Sequence, residues 1–162
     1  MGISGSEALL KSSIEHSTKH SLEEYLCHTF LHQVDPVFKI LHRPSLCSFL
    51  LEGRPYLHCD LGHPASEALK SAVYYAAACS TSDEQWPSNF VVSRKSAIAK
   101  YRRETDIGLS RADFINTDDL TVLQAFVLSL VPILIRHPLQ EIITKTGQHS
   151  ISRSKSTNMD HA

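Results

Sequence analysis

An all-α, irregular bundle of short and medium helices is the fold class this sequence predicts, and three observations predict it. Apolar residues recur at steps of three and four in several separate stretches, which puts them on one face of a helix. No stretch alternates apolar and polar residues well enough to make a half-buried strand. Proline, glycine and capping residues punctuate the stretches at intervals suited to short helices. With 162 residues the chain suffices for one domain that buries about two-thirds of its unfolded surface.

Residues 1–20 read as a polar lead-in with helical character around Glu7 to Ile14. Ser21 and Glu24 then have the spacing of a capping box, and Leu22, Tyr25, Leu26 and Phe30 give one apolar stripe for a helix ending near Gln33. Asp35-Pro36 predicts the next start, because Asp caps well and Pro at the first helical position gives up an amide that is unpaired anyway. Phe38, Ile40 and Leu41 make that short segment apolar; Pro44 opens another helix bearing Leu46, Phe49 and Leu50, which Gly53-Arg54-Pro55 stops. Residues 54–63 read as a loop.

Pro64 begins the longest helix, with Ala68, Leu69, Ala72, Val73, Ala76 and Ala77 on one face; the alanines invite a neighbouring helix to approach closely. A loop over Thr81 to Ser88 carries the single tryptophan, Trp86. The next helix is expected from Phe90 to Ala112, with Ile98, Tyr101, Thr105 and Leu109 inward, Arg94, Arg102 and Arg103 solvated, and Gly108 weakening its last turns. Thr117, Asp118 and Asp119 supply caps for a helix carrying Leu120, Leu123, Val127 and Leu130 at steps of three and four. Pro132 and Pro138 are expected to interrupt the chain beyond this helix. From Gly147 onward Ser, Lys, Arg, Thr and Asn leave too little apolar surface to offset ordering entropy. The predicted organisation is a lead-in over 1–20, a helical domain over 21–135 and a polar, disordered tail over 136–162.

Composition narrows the function. Sixteen basic against seventeen acidic residues give a net charge of −1, which offers no excess of cations to neutralise nucleic-acid phosphates. The first twenty residues lack the apolar core of a secretion signal and the Arg-rich character of a transit peptide. No run reaches the ~18 apolar residues of a membrane helix; the longest candidate, Ala125 to Ile135, is broken by Ser129 and Pro132. The expectation is a soluble intracellular protein. Cys27, Cys47, Cys59 and Cys79 stand 20, 12 and 20 residues apart, which suits buried free thiols and leaves no closely spaced pair for a zinc cluster or a disulfide framework.

Few residues suggest chemistry. His28 and His32 lie four apart, close enough on a helix for two imidazoles to face one metal, but no third ligand accompanies them and they read as surface histidines. His58, Cys59, Asp60 and His63 gather donors within six positions, yet Gly62 and Pro64 make the segment a turn before a helix; a small metal-assisted enzyme using His58, Cys59 and His63 is the third-ranked reading. Cys79 falls near a helix C-terminus, whose dipole disfavours a thiolate, so it is expected to pack. Arg94, Lys95, Lys100, Arg102 and Arg103 suggest a phosphate-binding face, but Glu104 and Asp106 interrupt it and a solvated helix face explains it better. Arg153 and Lys155 are too few for a localisation signal. The acid pairs Glu23-Glu24 and Asp118-Asp119 sit where helix starts want negative charge. No nucleophile elbow, P-loop or glycine-rich dinucleotide turn occurs. The expectation is that the chain is not an enzyme and holds no catalytic, cofactor-binding, metal or DNA-binding residue.

Three stretches in order carry a resemblance: Val34-Asp35-Pro36-Val37-Phe38-Lys39-Ile40-Leu41-His42-Arg43-Pro44; Tyr74-Tyr75-Ala76-Ala77-Ala78-Cys79-Ser80-Thr81-Ser82-Asp83-Glu84; and Tyr101-Arg102-Arg103-Glu104-Thr105 running through Arg111-Ala112-Asp113-Phe114 to Thr121-Val122-Leu123-Gln124-Ala125. From Leu22 to Leu130 the chain resembles the middle regulatory domain of fungal binuclear zinc-cluster transcription factors. The resemblance implies an all-helical regulatory domain that in full-length relatives follows the zinc cluster and a short dimerising linker. It also implies a nucleus-located activator or repressor of metabolic pathways such as sugar use or secondary-metabolite clusters. Zinc and direct DNA contact belong to the six-cysteine cluster of relatives and transfer to no residue here. After Leu130 the chain departs from the family pattern into Val131-Pro132-Ile133-Leu134-Ile135-Arg136-His137-Pro138 and a polar tail, which looks like a truncation. The apolar faces of Leu120 to Leu130 and Ala68 to Ala77 would then lack later helices to cover them. The partners expected are proteins, either a second copy or a full-length relative, with DNA reached only indirectly, no membrane and no small-molecule substrate. A stand-alone helical interaction module, or a nonfunctional gene remnant, is the alternative.

Overall fold

Helix α1 (22–29) directs Leu22, Leu26 and Cys27 inward, as its three- and four-residue steps require. The structure, a computed structural model, describes residues 22–134, so the capping box at Ser21 and the lead-in and tail lie outside the described residues. Where the sequence predicts a break before Asp35, the chain instead passes without interruption through a π turn, Phe30–Val34, into α2 (Asp35–Phe38). The amide of Asp35 bonds to the Phe30 carbonyl, so its backbone is helical and it does not cap. Its carboxylate is buried and accepts from Arg43 Nε at 2.7 Å, while Arg43 Nη2 donates to the Leu31 carbonyl. A buried carboxylate needs such a partner, and the arginine eight residues on supplies it. Lys39, at φ 45°, ends α2 in the left-handed region.

Helix α3 (Arg43–Glu52) comes next, with Pro44 in its first turn, Leu46 and Phe49 buried, and Gly53 at φ 66° closing it. Glycine takes that conformation without a Cβ penalty. Residues 54–63 form the expected loop, tightened by a turn in which the Cys59 amide donates to the Tyr56 carbonyl at 2.9 Å and both side chains are buried.

Helix α4 (Pro64–Ser80) is the central rod: twelve of its seventeen residues are buried, among them Ala68, Leu69, Ala72, Val73, Ala76 and Ala77. A helix apolar nearly all round belongs inside a bundle, so the Ala68 to Ala77 face has its neighbours within the described residues and awaits no further helix. Helix α5 (Arg94–Arg111) starts later than Phe90, because Ser93 accepts from the Ser96 amide at 3.2 Å and fixes the N-terminus there. Phe90 is used in the preceding loop, where it meets Tyr25 and Trp86 edge to face at centroid distances of 5.5 and 6.0 Å. Arg94, expected in solvent, is mostly covered; it donates to Asp83 Oδ1 at 2.6 Å and to the Ala78 carbonyl at the end of α4.

Helices α4 and α5 form the main contact. At their crossing a Cβ on Gly108 would lie 2.8 Å from Ala68 Cα and 2.9 Å from its Cβ. Gly108, which local propensity marks as a weakness, is therefore what lets the two rods touch. Tyr74 and Tyr101 meet beyond it at 5.2 Å, and the Tyr101 hydroxyl is buried with no hydrogen-bond partner among the described residues. Helix α6 (120–134) completes the described bundle and runs through Pro132 without ending there. One proline in a final turn removes a single backbone bond, and this one is buried. Among the described residues there is no strand, only an isolated bridge between Tyr56 and Cys59, so the all-α expectation holds.

Gly108→Ala should lower stability by roughly 1–3 kcal/mol, as overpacking does, against the usual gain for alanine in a helix; urea unfolding checks this. Alkaline pH should also destabilise the fold. Burial pushes the Cys27 thiol from 9.0 up to about 11, and burial likewise raises the Tyr74 and Tyr101 phenols. Above pH 9.0 the unfolded chain releases protons that the folded chain keeps, so stability is full below that value and falls as pH rises through about 11. Melting temperatures measured across that range should fall steadily, and Cys27→Ala should shallow the decline.

Candidate functional site

Asp119 starts α6 by accepting the Thr121 amide on Oδ1 at 2.7 Å, and Thr117 Oγ1 accepts the Asp119 amide at 3.1 Å. The inner face of the helix is Thr121, Val122, Ala125, Leu128 and Val131, all buried. Gln124 clamps it to the rest of the bundle: its Nε2 donates to the Ile40 carbonyl at 2.9 Å and its Oε1 accepts from the Tyr56 hydroxyl at 3.3 Å. Phe126 stacks on Phe114 at 5.2 Å.

The apolar stripe that the sequence assigns to this helix faces outward. Leu120, Leu123, Val127, Leu130 and Leu134 are 54, 43, 44, 39 and 59% exposed. Their 3-4-3-4 spacing is that of a helix–helix seam. An ordinary surface helix places charge on that side; α6 is apolar on both. Burial is decided by a second, offset set of residues that the stripe reading passed over, because two apolar periodicities share one helix.

A polar corner lies at the start of α6. The turn over 56–59, with Leu57 at φ 51°, brings His58 and Cys59 to Asp119: His58 Nε2 is 3.6 Å from Oδ1, and the Cys59 thiol donates to Oδ2 at 3.7 Å and to Thr121 Oγ1 at 3.5 Å. One donor atom from each of His58, Cys59 and Asp119 lies within 4.8 Å of the others. Burial raises the Cys59 thiol above its ordinary range, with the Asp119 carboxylate adding to the effect. Burial also acts to raise Asp119, but hydrogen bonds from the Thr121 amide and hydroxyl, the His58 charge and the Cys59 thiol outweigh it and hold the carboxyl below the usual range.

Of the four loop donors read from sequence, the fold keeps two together. The ring of His63 instead accepts the Ala65 amide at 3.3 Å as the cap of α4, and the exposed Asp60 is not among the donors that meet within 4.8 Å. Asp119 stands 60 positions after Cys59, so only the tertiary structure supplies it. Its signal in the sequence was that of a helix cap.

The remaining candidates take structural roles. His28 and His32 are exposed and straddle the entry to the π turn. Cys79 packs half-buried against the core. Lys100 lies 4.7 Å from the Tyr101 ring centroid and 4.0 Å from Glu104 Oε1, whereas Arg102 and Arg103 are exposed. No helix among the described residues is long and apolar enough to cross a membrane.

Known proteins place the chain. It is 44% identical over 133 residues to the "C6 finger domain transcription factor adaR" of Aspergillus niger, and 45% identical over 107 residues to the "C6 finger domain transcription factor nscR" of Aspergillus fumigatus. The nscR protein of Trichophyton verrucosum is 39% identical over 131 residues. The chain is related to fungal C6 finger transcription factors. These matches cover 81, 65 and 81% of the chain, but it spans only 17, 14 and 20% of the length of those factors. No family model matches the chain, and no solved structure does. The residues present do not fit the six-cysteine zinc cluster of C6 finger factors: the four cysteines are spread singly over α1, α3, the 54–63 loop and α4.

Replacing the cap should weaken the fold according to how well the new side chain accepts the Thr121 amide. Asp119→Ala should cost about 1 kcal/mol of stability, and Asp119→Asn, which still accepts the Thr121 amide, only a few tenths; guanidinium unfolding of the pair checks it.

Proposed function

We propose that this chain is a regulatory module of a fungal pathway-specific transcription regulator and acts through protein contacts, with its outward α6 face as the contact surface. The observation that carries the reading is the row Leu120, Leu123, Val127, Leu130 and Leu134, exposed at seam spacing on an otherwise well-anchored helix. Relatedness to C6 finger transcription factors supports the transcriptional setting and, with it, a nuclear location.

The surface favours an amphipathic helix as its partner. Exposed leucines and valines reward burial by about 25 cal/mol per Å² of apolar area removed from water, and a helix laid along such a row is a common recognition mode. The row covers two heptads, and sustained coiled coils usually need three or four. A second helix from a copy of this chain therefore gives weak self-association. A full-length relative, whose own helices extend the contact, gives a tighter complex. Direct DNA binding is not part of the reading, since the chain carries no net positive charge.

Two measurements test it. The tagged protein should enter the nucleus and be recovered on promoter chromatin together with a full-length factor; cytoplasmic retention without chromatin recovery overturns the transcriptional setting. In sedimentation and co-precipitation, Leu123→Glu with Val127→Glu should weaken association about tenfold or more while leaving the melting temperature nearly unchanged, because both positions are already 43 and 44% exposed. Unchanged association by this double variant removes the α6 face from the proposal.

A further inference from the structure

We propose that His58, Cys59 and Asp119 form a divalent-metal site, with zinc as its cation, that fastens the 54–63 loop to the start of α6. This departs from the expectation that the chain holds no metal-binding residue. It also stands apart from the six-cysteine cluster of C6 finger factors and from the contact role of the α6 face.

The donor types suit zinc. A cysteine sulfur, an imidazole nitrogen and a carboxylate oxygen are the three ligand classes this ion takes from proteins, at roughly 2.3, 2.0–2.1 and 2.0–2.2 Å. In a tetrahedron with those bond lengths, neighbouring ligand atoms sit roughly 3.3–3.6 Å apart. The observed separations are 3.6 Å from His58 Nε2 to Asp119 Oδ1 and 3.7 Å between Cys59 Sγ and Asp119 Oδ2. These two contacts use different oxygens of the carboxylate, and one donor atom from each residue lies within 4.8 Å of the others, so closing round an ion through one oxygen asks the donors to draw in by about an ångström or less. His58, with 66% of its side chain exposed, is free to make the remaining adjustment.

Charge and support also match. Thiolate and carboxylate together neutralise a divalent ion, and the imidazole adds a neutral donor. On binding, the Cys59 thiol gives its proton to solvent and its sulfur lone pair to the metal. Asp119 is oriented by the Thr121 amide, and Cys59 by the Tyr56–Cys59 turn and the Thr121 hydroxyl. Ligands held by hydrogen bonds of this kind are what tune protein metal sites. Three protein ligands leave one position for water, the open arrangement. The two sides of the site come from segments that the Gln124 clamp already joins, so a bound ion adds a second tie at the same end of α6.

The test uses the whole chain, stripped of metal by a chelator and titrated with zinc chloride, then with cobalt chloride as a spectroscopic substitute. Wild type should bind one zinc per chain, melt at a higher temperature with zinc than without, and show a thiolate-to-cobalt charge-transfer band. His58→Ala, Cys59→Ser and Asp119→Asn should each weaken zinc binding by about tenfold or more and lose the zinc-dependent rise in melting temperature. Asp119→Asn keeps the helix cap, so its loss separates ligation from folding. Cys47→Ser, a half-buried thiol of α3, should bind as wild type does. Absence of zinc binding by the folded wild type overturns the proposal, as does binding that survives all three ligand variants or disappears with Cys47→Ser.

Discussion

The close crossing of α4 and α5 is the constraint on which the rest depends. Helices approach within touching distance only where side chains are small, and the pairing of Ala68 with Gly108 supplies the smallest contact available. Once the rods are held there, Tyr74 and Tyr101 are fixed edge to face, and the buried side of α4 becomes the floor of the domain. Helix α1 packs on the same rod through its π turn, and the Asp35–Arg43 ion pair folds the following chain back against that turn. The first half of the chain is thus seated on a rod whose own position is set by one tight contact between two backbones.

Helix α6 is placed by different forces. Its inner apolar residues hold it to the core, while its outer row makes a second apolar surface that nothing among the described residues covers. The polar corner at its first turn and the Gln124 clamp fix its axis and rotation, so the outer row is presented in one orientation. Rigid presentation lowers the ordering cost that a partner must overcome. The contact role proposed for α6 draws on that rigidity.

Much of this was legible in the sequence, for reasons that differ by element. Pro64, Gly53 and the Thr117–Asp119 caps mark boundaries through local chemistry alone, and α3, α4 and α6 begin or end where those residues stand. The alanines of α4 announced a close neighbour correctly. What local reading could not supply was direction. The row from Leu120 to Leu130 looks like a core stripe because spacing says which residues share a face and not which way that face turns. Asp35 misled for a similar reason: an Asp before a Pro is a good cap, but a buried Asp with an arginine eight residues on is a better ion pair, and the chain took the second option. The polar corner was half visible, since His58 and Cys59 are adjacent in the chain while Asp119 joins them only through folding.

The aromatic cluster of Tyr25, Trp86 and Phe90 has an optical consequence. Trp86 is the sole indole in the chain, it donates its Nε1 hydrogen to the Val92 carbonyl at 3.0 Å, and its ring meets Tyr25 of α1 at 5.9 Å. Intrinsic emission from this molecule therefore watches a single spot, the seating of the 81–93 segment on the first helix. A red shift without loss of helical circular dichroism would signify that this flap has lifted while the α4–α5 pair stays closed.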